Sequence, residues 1–144
     1  MSASPASLEE ARIELNNRCN AIEECYEFML AYAAQGLASD QGSGSGTQVR
    51  EFLRKCDAAL TGLAGFLTGF VKQLGVESMD PYAAYMGVIE RDARDAQAAV
   101  HLVLVQPSIS SQLVDNLNAS IHLRALLTDL FLIDEILKAY RRPS

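Results

Sequence analysis

Apolar positions along this chain recur every three and four residues, and no stretch of five or more residues alternates with period two. The pattern predicts helices only. The first runs from about Ser7 to Gln35, with Ser7 and Glu10 as a capping pair and Gly36 as its terminator. Leu8, Ala11, Leu15, Cys19, Ile22, Tyr26, Met29 and Ala33 form its apolar stripe, and its glutamates fall off that stripe. The second runs from about Thr47 to Leu74, capped by Ser45 and Gln48 and ended by Gly75. Val49, Cys56, Leu63 and Phe70 recur there every seven residues, as do Leu53, Leu60, Leu67 and Leu74. The third opens with Asp80 as N-cap and Pro81 at its first helical position, carries Tyr82, Met86, Ile89, Ala93, Ala96, Val100 and Val103, and stops at Pro107. Glu90–Arg94 and Arg91–Asp95 are i,i+4 pairs on its outer side.

The fourth helix, about Ile109 to Tyr140 with Ser108 or Ser110 as cap, differs from the others. One stripe is Val114, Leu117, Ile121, Ala125, Leu132 and Ile136. A second is Leu123, Leu126, Leu127, Leu130, Ile133, Leu137 and Tyr140. A helix apolar on two sides is either central in a core or buried in an interface, and a kink near Asn118 to Ser120 would let one face turn into the other. The basic pair Arg141-Arg142 complements the end of this helix.

These elements predict an all-α fold: one domain over residues 1–144, an antiparallel up-down-up-down four-helix bundle. Residues 38–46, Ala-Ser-Asp-Gln-Gly-Ser-Gly-Ser-Gly, have the composition of a flexible linker and are expected to form a mobile loop. The length of 144 residues and the 49% hydrophobic content suit one compact core. From Ile121 to Leu137, ten of seventeen residues are large and apolar, above the three-sevenths share that one buried face requires.

Charge and chemistry narrow the function. A net charge of −6 argues against a nucleic-acid partner. The N-terminal Met-Ser-Ala-Ser-Pro-Ala-Ser has no basic or apolar leader pattern, and no apolar run approaches a membrane span, so a cytoplasmic protein without a membrane partner is expected. Cys19, Cys25 and Cys56 read as buried reduced thiols, Cys19 and Cys56 on core stripes. The two histidines, His101 and His122, lack a glutamate three residues before them, and Cys-x-x-Cys pairs are missing. Di-iron, zinc and covalent haem sites therefore have no ligand set, and no metal or cofactor is expected. Asp92, near a core edge, is expected to pair with Arg18. Neither a Gly-x-Ser-x-Gly elbow nor a P-loop is present.

The leading expectation is a non-enzymatic interaction protein, a homodimer joined through Leu123, Leu126, Leu127, Leu130, Phe131, Ile133 and Leu137. An alternative is a sensor with a pocket or close-packed face beside Gly62, Gly65 and Gly69, with Tyr26 and His122 nearby. Three helical glycines cost roughly 1 kcal/mol each relative to alanine, and Gly65-x-x-x-Gly69 bares backbone on one side. A third reading is an enzyme with a site shared between subunits, using His122, Asp92 and Tyr26.

Overall fold

A computed structural model describes residues 5–140, all six of its long elements α-helical. These are α1 (Pro5–Ala34), α2 (Gly44–Leu60), α3 (Leu63–Leu74), α4 (Met79–Leu104), α5 (Ser111–Ala119) and α6 (His122–Leu137), followed by a 3-10 turn at Lys138–Tyr140. The Arg141-Arg142 pair and the first four residues lie outside the described residues.

Two of the four expected helices are interrupted. The second breaks at Thr61–Gly62, where Thr61 is extended (ψ 120°) and Gly62 is left-handed (φ 69°). An L-residue with a Cβ resists that conformation and glycine does not. The carbonyls opened by the break are taken up from another helix: Arg18 Nη1 donates to Ala59 O at 3.0 Å and Thr61 O at 2.7 Å. Arg18 also binds Glu14 and lies over the Phe66 ring, so it does not make the expected pair with Asp92. From α4, Gln97 Nε2 donates to Asp57 Oδ1 and Thr61 Oγ1, both at 3.0 Å.

The fourth expected helix breaks at Ser120–Ile121, where Ile121 has φ 65°. Its effect on the core is large. Val114 and Leu117 of the first stripe are buried in α5, whereas Ile121, Leu132 and Ile136 of the same stripe are exposed. Leu123, Leu126, Leu127, Leu130, Ile133 and Leu137 of the second stripe fill the core instead.

Helix ends shift by a few residues. Ser7 lies inside α1, which starts at Pro5. Ser43 rather than Ser45 caps α2, accepting from Gly46 N at 2.9 Å. Ser78 takes the N-cap position of α4, and Asp80 falls in its first turn. Ser110 caps α5, accepting from Leu113 N.

The Gly/Ser segment is not a free loop. Asp40 is buried, accepting from Ile109 N at 2.7 Å and Arg50 Nε at 2.8 Å. Arg50 in turn donates to the carbonyls of Leu104 and Gln106 at the end of α4. A Cβ on Gly46 would overlap the Asp40 carbonyl, so the backbone approach there requires glycine. Ser111 and Leu37 exchange two hydrogen bonds at 2.8 Å, and Tyr32 Oη donates to Ile109 O at 2.7 Å. Asp40 loses hydration on burial, yet the Ile109 N–H and the Arg50 guanidinium outweigh that loss and hold its carboxyl below the usual range.

α1 packs against α2, α3, α5 and α6, and α4 packs against α2, α3, α5 and α6. α1 contributes Leu15, Ile22, Cys25, Met29 and Tyr32 to the core. Cys25 thus occupies the core position expected of Cys19, which is half-buried. The Cys56 thiol meets that of Cys25; this hydrogen bond, with burial and the nearby Asp57 charge, pushes the Cys56 thiol up, away from reactive thiolate.

Candidate functional site: the outer face of α6

The break before α6 decides which residues reach solvent. Once Ile121 has turned the chain, the wide apolar face of α6 goes inward and a narrower set is left outside. Ile121 is 59% exposed, Phe131 55%, Leu132 51% and Ile136 42%. Ile121, Ala125, Leu132 and Ile136 sit at helical spacing on one side of α6, and Phe131 stands on the other.

Two grooves flank this ridge. Toward α4, a hollow of about 320 Å³ is lined by Pro81, Tyr82, Tyr85, Leu132, Ile133 and Ile136. Toward α1, a hollow of about 380 Å³ has Tyr26, Leu30, Leu127 and Phe131 as its apolar lining and Glu23, Glu27, Arg124 and Thr128 as its polar rim. Leu30 is itself 49% exposed.

A polar cluster lies under the α4 side. Tyr85 Oη donates to Asp129 O at 3.3 Å and points to Asp129 Oδ1 at 3.5 Å. Asp129 Oδ2 is buried and receives no hydrogen bond. Burial, followed by the neighbouring Asp92 carboxyl, pushes the Asp129 carboxyl up to about 7; Tyr85 opposes the shift. Burial and the Asp129 and Asp92 charges raise Tyr85 above its ordinary range. Asp92 lies near Asp129 and makes no pair with Arg18.

The sequence-derived site residues scatter. Leu123, Leu126, Leu127, Leu130, Ile133 and Leu137 are buried in the core of this chain, Leu127 and Ile133 reaching only the floors of the two grooves; of the expected set Phe131 alone is exposed. The exposed set centres on the side of α6 opposite to the middle of that buried face, because the chain turns at Ile121 between α5 and α6. Gly62, Gly65 and Gly69 make neither a pocket nor a close contact: a Cβ at each would meet nothing within 4 Å. Gly62 is a left-handed helix break, and the structure offers no reason for glycine at 65 and 69. Tyr26 lines the α1 groove, His122 is exposed at the start of α6, and Asp92 lies on the α4 side, so no described cleft is lined by all three. His101 is exposed as expected and meets Asp57 at 2.7 Å.

Ile121, Leu132, Ile136 and Leu30 were not in the expected surface, although the first three were legible as the alternative stripe of the fourth helix. Among the described residues no group of three or more His, Cys, Asp and Glu side chains could hold a metal ion. No described helix is long and apolar enough to cross a membrane. In comparisons with known proteins, no family model, curated protein or solved structure matches this chain.

Proposed function

We propose that this chain is a non-enzymatic protein acting through protein–protein association, as a homodimer, with the outer face of α6 as its docking surface. The observation that carries the reading is the set of large apolar side chains left in solvent at the start and along the outer side of α6: Ile121, Phe131, Leu132 and Ile136. Scattered exposed apolar residues need no explanation, but several on one helix between two apolar grooves mark an interaction surface. Ile121 adds support. A β-branched residue in the left-handed region is strained, by roughly 1–2 kcal/mol. Glycine or asparagine would relieve that strain, so an isoleucine exposed at this position is better explained by a role for its side chain than by folding.

The finer architecture belongs to the same proposal. Six helices make four rods, α1, α2 with α3, α4, and α5 with α6, arranged as an antiparallel bundle. Short connections and the helix neighbours support it: α1 and α4 each pack against both broken rods.

The test is sedimentation of the full chain beside a Phe131→Ser/Leu132→Ser variant, with helix content and melting followed by circular dichroism. The expected result is a dimer at micromolar concentration that becomes a monomer in the variant with helix content unchanged. A native chain that stays monomeric overturns the proposal.

A further inference from the structure

The two grooves beside α6 differ in charge. The α4-side hollow is lined by apolar and tyrosine side chains alone, whereas the α1-side groove carries both signs at its rim. Glu23 and Glu27 stand one helical turn apart on α1, and Arg124 stands on the first turn of α6. None of the three takes part in an ion pair within the described chain. By contrast, both arginines of α1 are occupied: Arg12 meets Glu9, and Arg18 meets Glu14. The exposed Leu30 and Phe131 line the same groove.

A groove with only unpaired carboxylates would suit a basic partner. A groove with unpaired carboxylates on one wall and an unpaired guanidinium on the other is complementary to itself. In a two-fold interface the same patch is used twice, so a residue on one wall of one copy meets the opposite wall of the other. We propose that the second copy seats on the α1–α6 groove, with Arg124 of each copy paired to Glu23 and Glu27 of the other around an apolar centre of Leu30 and Phe131. The proposal rests on the self-association reading and names the surface and its register. The apolar centre supplies the affinity, and the charges select the orientation.

The test uses charge exchange in the full chain, read as the dissociation constant from sedimentation at low salt, with circular dichroism as the check on folding. Arg124→Glu makes the groove wholly acidic, and Glu23→Arg/Glu27→Arg makes it wholly basic. Each variant alone is expected to self-associate about tenfold or more weakly than the native chain. An equimolar mixture of the two is expected to form a heterodimer of near-native affinity, because every contact is again between opposite charges. Arg124→Gln, which keeps the size and removes the charge, is expected to fall between. Unchanged affinity in both exchanged variants, or no recovery on mixing, overturns this seat. If Leu132→Ser/Ile136→Ser abolishes the dimer while the charge variants do not, the copies meet over the α4-side groove: the seat is wrong and self-association stands. A native chain that remains monomeric to about 100 μM removes both.

Discussion

Between α2 and α3 the chain turns at Thr61–Gly62, and between α5 and α6 it turns at Ser120–Ile121. The first turn uses glycine and is held from two neighbouring helices, by Arg18 of α1 and Gln97 of α4. The second uses a β-branched residue with positive φ and is held only locally, by Ser120 Oγ on Leu117 O at 2.6 Å and Ile121 N on Asn118 O at 3.2 Å. The Asn118 side-chain amide beside it is buried without a hydrogen-bond partner. The outcomes differ accordingly. Across the first turn the heptad stripes of the second rod stay in the core, with Leu60, Leu63 and Leu67 all buried. Across the second, the stripe that was buried in α5 emerges into solvent in α6. A break that serves folding is built from residues suited to it; a break that keeps strain and orphaned polar atoms coincides with the surface assigned to docking.

The largest expected effect separates the two stripes of α6. Leu130→Ala should destabilise by about 3 kcal/mol in urea unfolding, as a buried leucine does, whereas Leu132→Ala should stay within about 0.5 kcal/mol. The reverse order would exchange core and surface. Arg18→Met should cost about 2 kcal/mol, because carbonyls at the first turn lose a charged donor; a loss below about 0.5 kcal/mol would make that turn independent of α1.

Asp129, held to α4 through Tyr85, predicts a pH dependence. Asp129 is raised from its ordinary 3.8 to about 7, so the folded chain holds a proton that the unfolded chain releases. Its contribution is complete below about pH 4 and is lost as pH rises to about 7, on the order of 1–2 kcal/mol after allowance for partial solvent screening. Asp129→Asn should remove that slope, measured as the difference between its stability–pH curve and that of the native chain. An identical slope in both would return Asp129 to an ordinary carboxyl.

Smaller effects distinguish the turns themselves. Gly62→Ala should lose about 1 kcal/mol, and Ile121→Gly should gain up to about 1 kcal/mol while weakening association. A gain in stability with undiminished association would leave the isoleucine at 121 without a docking role. Gly65→Ala and Gly69→Ala should each stabilise α3 by roughly 0.5–1 kcal/mol, since each added methyl meets open space. Destabilisation there would restore a packing role for the glycine face.

Much of the fold was legible because helical periodicity survives in any one segment. The stripes of α2 through α4, the ends at Gly36 and Gly75 and the cap at Ser110 all follow from local spacing and local backbone preference, whereas in α1 Cys25 and Tyr32, off the expected stripe, join Leu15, Ile22 and Met29 in the core. Asp40 was not legible: nothing in a Gly/Ser-rich segment marks one aspartate for burial until Ile109 N and Arg50 arrive from elsewhere in the chain. The docking surface was half legible. The residues from Ile121 to Leu137 stood out as carrying more apolar bulk than one face needs, but both stripes had equal claim to the interior.

The amino-acid sequence by itself therefore determined that the chain is helical, roughly where each helix lies, and that the last one has apolar residues to spare. Only the tertiary structure decided which of those residues are inside. A left-handed isoleucine runs against local preference, so no propensity announces it. Yet that single φ sets the rotation of α6, and with it whether Leu130 or Leu132 faces water.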